Sequence, residues 1–131
     1  TFAPSRHAAA YWREESKRIG GPVKGRIINT SSTSGIYGNV GQTNYGAAKA
    51  GIASFTIIAA MELERYGVTV NAVALSPDEF DVDVAVSGPV SIAPRALSGD
   101  VDPTSLISWL CASAAGHVTG QTIVCDGGLW M

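Results

Sequence analysis

Apolar residues recur at two different spacings along the chain, and each change of spacing predicts a change of secondary structure. Apolar positions three and four residues apart are typical of helices, whereas short runs of β-branched residues between turn-forming residues are typical of strands. The first helix is expected to end at Gly20-Gly21-Pro22, because glycine and proline stop helices. The sequence thus predicts helices over 1–19, 44–66 and 104–115, and strands over 25–32, 68–75 and 121–125.

The helix predicted over 44–66 has the clearest pattern. Its apolar stripe, at the spacing of one helix face, consists of Ala48, Ile52, Phe55, Ala59 and Leu63. Its second face consists of Ala47, Gly51, Ser54 and Ile58. Because most residues of the second face are small, another helix could approach it closely. We therefore expect this helix to be covered on two sides.

The elements follow one another in the order helix, strand, helix, strand, irregular segment, helix, strand. Strands that alternate with helices predict right-handed crossovers and a parallel sheet with helices on both faces. The strand over 68–75 is almost continuously apolar, as buried parallel strands are. Three strands form a thin sheet with an unpaired edge, and the chain does not begin with Met. We therefore expect 1–131 to be one partial α/β domain of a larger protein, with further strands before residue 1.

Residues 76–103 form a long stretch without a helix or strand pattern and contain four prolines. Loops of this length in a compact domain are usually functional or mobile, so we expect the substrate determinants to lie here. The acidic run at 78–83 lacks the alternating oxygen ligands and the glycine turn of a calcium loop. His7 and His117 have no suitably placed partners. No metal site is therefore predicted.

Composition and charge narrow the classes of function. Hydrophobic residues make up 46% of the chain, enough for a buried core, and a net charge of −2 without a basic run disfavours a nucleic-acid partner. No stretch approaches the roughly 20 apolar residues that span a bilayer, so no membrane partner is predicted. Cys111 and Cys125 match no metal-ligand spacing. They are expected to be two buried free thiols of a cytoplasmic protein.

Three polar side chains are predicted to meet at the carboxyl ends of the strands, where function collects in such sheets. Ser32 ends the first strand, Tyr45 opens the next helix, and Lys49 follows one turn later on the same face. A phenol, with a pKa of about 10, is a poor acid or base at neutral pH, but a neighbouring ammonium favours the phenolate. A serine hydroxyl can stabilise charge on a substrate oxygen. By itself, the Tyr-x-x-x-Lys spacing is better explained by a helix-start aromatic residue and a solvated lysine than by a catalytic pair.

Several motifs together resemble the short-chain dehydrogenase/reductase family over nearly the whole chain. Residues 25–32 and 41–51 resemble its active-site stretch, in particular that of 3-oxoacyl-carrier-protein reductases and related alcohol dehydrogenases. Residues 68–74 and 119–128 resemble its later signatures. The resemblance implies a Rossmann-like fold of which this chain holds the last three strands of the doubly wound sheet. It also implies NAD(P)-dependent hydride transfer between a secondary alcohol and a ketone.

The resemblance implies a role for each matching residue. Tyr45 is the implied acid/base, and Lys49 is implied to make its phenol more acidic and to bind the nicotinamide ribose. Ser32, thirteen positions before the tyrosine, is the implied serine at the substrate oxygen. Gln42 is implied to lie near the substrate, an alcohol, a ketone or an acyl thioester. An ordinary polar loop residue is an equally good interpretation of Gln42.

The cofactor contacts of the family are only partly matched. Ser76 and Pro77 stand in the loop that is implied to bind NAD or NADP, but the usual Pro-Gly and the following Thr are missing. The phosphate-binding loop Gly-x-x-x-Gly-x-Gly, which directs backbone N–H groups at the pyrophosphate, does not occur in the 131 residues. The alternative hypothesis is therefore a non-catalytic remnant or interaction module that binds no dinucleotide. The resemblance also implies pairing of the helices over 1–19 and 44–66 in a homodimer or homotetramer.

Overall fold

The computed structural model describes residues 1–76 and 103–126. Every helix and strand predicted from the sequence is present, with small shifts at the ends. A short helix that was not predicted, α2, lies between the first strand and the long helix. The elements are α1 (Phe2–Ile19), β1 (Arg26–Ser32), α2 (Thr33–Ile36), α3 (Thr43–Leu63), β2 (Thr69–Leu75), α4 (Thr104–Cys111) and β3 (Thr122–Cys125), with 3-10 turns at Glu64–Tyr66 and Ser113–Ala115.

The three strands form one sheet in the order β1, β2, β3, and both pairs are parallel. Arg26 lies opposite Thr69 and Ser32 opposite Leu75, so β1 and β2 are paired along their full length. The shorter pairing with β3 covers the second half of β2. Every residue of β2 except the last is buried, as expected for a central parallel strand covered on both faces. The prediction of a parallel, Rossmann-like sheet is confirmed.

Apolar side chains pack on both faces of the sheet. On one face, residues of α1 and α3 pack in a cluster that includes Ile27, Leu63 and Val70. On the other face, Leu110 of α4 packs with Val73 and is fully buried. Burial of one such side chain contributes roughly 1.5–3 kcal/mol. The two clusters hold the helices against the sheet and so bring the first turns of α3 to the carboxyl end of β1.

The long helix α3 buries a slightly different face from the one predicted. Ala48, which the apolar pattern assigned to the buried stripe, is exposed. Asn29 of β1 donates from Nδ2 to Thr56 Oγ1 at 2.9 Å, and Thr56 donates in turn to the Ile52 carbonyl at 2.9 Å. These two hydrogen bonds require Thr56 to face the sheet. The helix is therefore rotated about its axis relative to the predicted orientation, and Ala48 faces solvent. The buried residues of α3 are Thr56, Ala59, Ala60 and Leu63.

The second face of α3, which was expected to be covered by another helix, is exposed to solvent. Ala47, Gly51, Ser54 and Ile58 all lie on it. Together with its 3-10 turn the helix (Thr43–Tyr66) is long and apolar enough, by length and composition, to cross a membrane. This corrects the expectation that no stretch approaches that length. Core helices of soluble proteins pass the same test, and α3 contacts both β1 and β2 as a core helix does.

The two cysteines are free thiols, but they are not both buried as predicted. Cys111, the last residue of α4, is exposed, and Cys125 at the end of β3 is half-buried. Cys111 directly follows the buried Leu110, so the turn of the helix directs it away from the sheet. The cytoplasmic location inferred from these thiols stays a prediction.

Candidate active site

The carboxyl end of β1, the short helix α2 and the first turns of α3 meet in one polar junction. The four residues from Ser31 to Ser34 are each at most 2% exposed. Ser32 is the N-cap of α2, since the Ser34 N–H donates to Ser32 Oγ at 3.2 Å and a free backbone donor is thereby satisfied. A capped helical turn thus directly follows β1, at residues for which the sequence predicts neither a helix nor a strand. The hydroxyl oxygens of Ser31, Ser32 and Ser34 each have a hydrogen-bond partner in the protein, whereas Thr33 Oγ1 has none among the described residues.

The hydroxyl protons of the three serines in this junction have different partners. Ser31 donates from Oγ to the Lys49 carbonyl at 2.8 Å, and Ser34 donates from Oγ to Gln42 Oε1 at 2.7 Å. Ser32 Oγ accepts from the Ser34 N–H, and within the described part of the chain its own proton has no acceptor. A hydroxyl that accepts one hydrogen bond can still donate one. Of the three serines, Ser32 is therefore the one with a proton to donate to a ligand.

The side chains of Tyr45 and Lys49 lie together on one face of α3, as their spacing predicts. Lys49 Nζ is 5.5 Å from the centroid of the Tyr45 ring, and Tyr45 is 41% exposed. The ammonium also donates to the Thr30 carbonyl at 3.1 Å, so β1 and α3 together position it. The phenol ring and the ammonium are thus held side by side at the junction, as the sequence predicts.

Two glycines permit the close approach of α2 to α3. A Cβ on Gly35 would lie 2.7 Å from the Lys49 side chain and from the backbone of Lys49 and Ala50. A Cβ on Gly46 would lie 3.0 Å from the Ser34 carbonyl oxygen. Any larger residue at Gly35 would push the two helices apart. The distance between the serines and the tyrosine–lysine pair therefore depends on this glycine.

Sequence reasoning missed two residues that position the site, Ser31 and Gly35. A signal for Ser31 was present, because it lies two positions after Asn29 and so on the same face of β1. The side chains of Asn29 and Ser31 both donate hydrogen bonds to residues of α3. Gly35 is one of several glycines between the predicted strand over 25–32 and the predicted helix over 44–66, and nothing in the pattern distinguishes it from the others. Only the packing of two helices identifies it.

Gln42, predicted to lie near the substrate, lines a hollow of about 280 Å³ between α2 and the first turns of α3. Gly38 and Ala47 line the same hollow, whereas the Tyr45 ring does not. The side-chain carbonyl of Gln42 is held by Ser34 Oγ. The structure therefore does not bring Gln42 and Tyr45 together around one hollow. A contact of Gln42 with the substrate stays a prediction.

Ser76 follows β2 at the same edge of the sheet as Ser32, since Ser32 lies opposite Leu75. Its Oγ, like Thr33 Oγ1, is buried and has no hydrogen-bond partner among the described residues. A buried hydroxyl without a partner costs about 1–3 kcal/mol, so each is a group that a ligand could satisfy. Pro77, also predicted to contact the cofactor, lies outside the described residues. So does the predicted substrate segment, apart from its two end residues.

This sheet and junction belong to the short-chain dehydrogenase family, and the chain is a member of it: the family model described as short chain dehydrogenase matches residues 6–86. The chain is 41% identical over 139 residues to the hydroxyacyl-CoA dehydrogenase ChsB1 of Mycobacterium tuberculosis, which covers 96% of this chain and 41% of that protein. It is 41% identical over 113 residues to the 3-oxoacyl-[acyl-carrier-protein] reductase FabG of Vibrio harveyi. This match covers 82% of this chain and 46% of that reductase.

Solved structures show the same fold. A short chain dehydrogenase from Mycobacterium avium matches with a TM-score of 0.74 at 44% identity, over 97% of this chain and 39% of that one. An oxidoreductase from Escherichia coli K-12 matches with a TM-score of 0.74 at 30% identity, over 95% of this chain and 48% of that one. The predicted family, and the similarity to 3-oxoacyl-carrier-protein reductases, are confirmed. The chain spans less than half the length of each of these four proteins.

Proposed function

We propose that the chain is the proton-transferring part of an NAD(P)-dependent oxidoreductase that interconverts a secondary alcohol and a ketone. The names of two similar proteins specify a hydroxyacyl-CoA and a 3-oxoacyl group on acyl-carrier protein as their substrates. An oxoacyl or hydroxyacyl thioester is therefore the substrate class that we propose for this chain.

The observation that carries this proposal is the distribution of hydroxyl protons at the junction. Ser31 and Ser34 donate to protein acceptors, whereas the Ser32 proton has no acceptor among the described residues. Tyr45 provides a second hydroxyl, on an exposed ring beside the ammonium of Lys49. A carbonyl oxygen that becomes an alkoxide is stabilised by donors placed in advance. Ser32 and Tyr45 are two such donors.

In the reductive direction, the substrate carbonyl oxygen accepts hydrogen bonds from Ser32 Oγ and Tyr45 Oη. A bound NAD(P)H supplies the hydride for the carbonyl carbon. As negative charge grows on the oxygen, Tyr45 transfers its proton there, which completes the alcohol and leaves a phenolate. Lys49 stabilises this phenolate by its positive charge, and solvent restores the proton. In the oxidative direction the phenolate removes the proton of the substrate hydroxyl.

The described residues fit one end of a dinucleotide. Lys49 has ammonium donors beyond the one that Thr30 accepts, and with Tyr45 it would hold the nicotinamide ribose. Ser76 offers a buried hydroxyl that has no hydrogen-bond partner among the described residues. A pyrophosphate needs a cluster of backbone N–H groups such as a glycine loop, and Gly-x-x-x-Gly-x-Gly is absent from the sequence. The second candidate is a family remnant or interaction module without dinucleotide binding.

A chimera distinguishes the two candidates. In it, this chain replaces the matched region of the Mycobacterium tuberculosis hydroxyacyl-CoA dehydrogenase, and the rest of that protein supplies the polypeptide that the chain does not span. We expect the chimera to oxidise a hydroxyacyl-CoA, measured by the absorbance of the reduced nicotinamide. A chimera that is folded by circular dichroism but neither binds the reduced nucleotide nor turns over would support the remnant instead.

Ser32→Ala in this chimera is expected to lower kcat by roughly 10²-fold, because one of two donors to the developing oxyanion is lost. Ser34→Ala is the matched control, since it removes an equally buried hydroxyl whose proton is already bound by Gln42. The control should lose about 1 kcal/mol of stability and keep most of kcat. Equal losses of kcat in both variants would contradict the separate role of Ser32.

We also propose that the exposed face of α3 pairs with a second copy in a homodimer or homotetramer. Ile58 is 56% exposed and Met61 is 74% exposed on this helix. Apolar surface of this kind on a folded chain marks interaction sites. The small residues Ala47 and Gly51 on the same helix would allow the backbones of two copies to approach closely.

Ile58→Arg should shift the mass measured by light scattering toward the monomer, because pairing would bury an unpaired charge. Val40→Arg is the control, since Val40 lies in the turn before α3 and is 98% exposed. The control should leave the mass unchanged. A chain that is monomeric without any substitution would contradict this arrangement.

A further inference from the structure

A buried polar pair joins β1 to α3 next to the apolar core. Thr56 is fully buried and Asn29 is 6% exposed. Asn29 donates from Nδ2 to Thr56 Oγ1, and Thr56 donates to the Ile52 carbonyl, both at 2.9 Å. The other buried residues of α3 are all apolar. The pair is therefore a directional contact between the strand and a helix that is otherwise held to the sheet by apolar packing.

Apolar burial does not by itself determine which face of α3 lies on the sheet. Large apolar side chains also occur on the solvent side of this helix, where Ile57, Ile58 and Met61 are between 50% and 74% exposed. Two of the buried residues, in contrast, are the small Ala59 and Ala60. A helix with apolar residues on both sides loses little buried apolar area when it turns about its axis. A hydrogen bond from a fixed strand selects one rotation, because satisfied buried polar groups specify a unique packing.

The residues proposed to transfer the proton lie on the same helix and depend on this rotation. Lys49 precedes Thr56 by seven residues, about two helical turns, so the two side chains leave the helix in nearly the same direction. Tyr45 lies about one turn further along. Surface atoms of a helix are about 5 Å from its axis, so a rotation of about 20° moves them by roughly 1.7 Å. A misplacement of only about 1 Å can lower a rate by about 10²-fold.

A second hydrogen bond connects the same two elements nearer to the site. Ser31 donates from Oγ to the Lys49 carbonyl at 2.8 Å. Asn29 and Ser31 are two positions apart and so lie on the same face of β1. One hydrogen bond leaves α3 free to turn about it, whereas two bonds separated by about two helical turns fix the rotation of the helix against the strand.

We propose that Asn29 and Thr56 are positioning residues, which set the rotation of α3 and thereby hold Tyr45 and Lys49 at the carboxyl end of β1. Neither side chain contacts a substrate, since both are buried between the strand and the helix. Their effect on turnover rests on the proposed function, whereas their effect on the rotation of the helix does not. The two effects are therefore measured separately.

The test of turnover is a double variant of the chimera, Asn29→Leu with Thr56→Val. Replacing both polar partners by apolar side chains of similar shape leaves neither of them unpaired and is nearly neutral for stability. The double variant should unfold at nearly the same urea concentration as the unsubstituted chimera, but its kcat should be lower by about tenfold or more. Thr56→Ser is the matched control, because it keeps the hydroxyl and should keep most of kcat. A folded double variant with the kcat of Thr56→Ser would overturn the proposal.

Crystal structures of the same variants test the rotation without any assay of turnover. The bond from Ser31 Oγ to the Lys49 carbonyl should be lost in the double variant and kept near 2.8 Å in Thr56→Ser. If every form of the chimera is inactive but this bond is lost as expected, the proposed function fails and the positioning role stands. An intact bond in the double variant overturns the positioning role, whatever the activities.

A single variant, Asn29→Leu, takes the place of the double variant if the latter does not fold. It removes the contact between the strand and the helix, and the Thr56 hydroxyl still donates to the Ile52 carbonyl, so this hydroxyl keeps a partner. The same fall in kcat and the same loss of the bond from Ser31 are expected. Unchanged values for both measurements would overturn the proposal.

Discussion

Replacing Tyr45 by phenylalanine should lower kcat of the chimera by between about 10² and 10⁴-fold, the range that general acid–base catalysis contributes. The substitution removes only Oη, the atom that gives its proton to the substrate oxygen in the proposed reaction. The ring stays on an exposed part of α3, so the stability should change little. KM should change less than kcat, because the hydroxyl acts mainly on charge that develops in the transition state.

Tyr11→Phe is the matched control for this experiment. Tyr11 lies on α1, outside the junction, and is 66% exposed, so the control loses the same oxygen without touching the site. Its kcat should equal that of the unsubstituted chimera. If Tyr45→Phe retained the same turnover as Tyr11→Phe, another group would have to transfer the proton and the proposed mechanism would be wrong.

Gly35→Ala should destabilise the chain by about 1–3 kcal/mol, the usual cost of an added group in a tightly packed place. The new Cβ would lie 2.7 Å from the Lys49 carbonyl carbon and the Ala50 nitrogen, backbone atoms that no side-chain rotation can move away. The first turns of α3 must therefore shift, and Tyr45 shifts with them relative to Ser32. Because a misplacement of about 1 Å can cost about 10²-fold in rate, kcat should also fall in molecules that remain folded.

Gly51→Ala provides the comparison for Gly35→Ala. Gly51 lies within α3 with no atom within 4 Å of the position that a Cβ would take. Alanine is the better helix former, so this variant should gain roughly 0.5–1 kcal/mol. Urea unfolding of the two variants measures the difference. A Gly35→Ala chain as stable as Gly51→Ala would show that α2 and α3 do not approach each other as closely as described.

The order of the helices and strands was predictable because the spacing of apolar residues along the sequence depends directly on which side of each element is buried. The apolar run at 68–75 has the composition of a strand covered on both sides, and the structure makes it the central strand. The place where the candidate site residues meet was predictable for a related reason. Parallel strands collect their carboxyl ends at one edge, and the i, i+4 spacing sets Tyr45 and Lys49 on one helix face.

Hydrogen-bond partners were not predictable, since they depend on contacts between elements. Ser31, Ser32 and Ser34 are alike in the sequence, and only the positions of the Lys49 carbonyl and of Gln42 show which protons are already bound. The rotation of α3 depends in the same way on a buried bond from Asn29. Apolar spacing cannot report such a bond, because both of its partners are polar.

The hydrogen bonds of the junction all join residues close in sequence. The bond from Ser34 to Gln42 spans 8 residues, that from Ser31 to Lys49 spans 18, and that from Lys49 to Thr30 spans 19. Loops this short are closed at little entropic cost, and local contacts of this kind favour rapid folding. The residues proposed to take part in the reaction thus lie in one contiguous stretch, residues 30–49. Transferring this stretch as a block would carry all three of these hydrogen bonds with it.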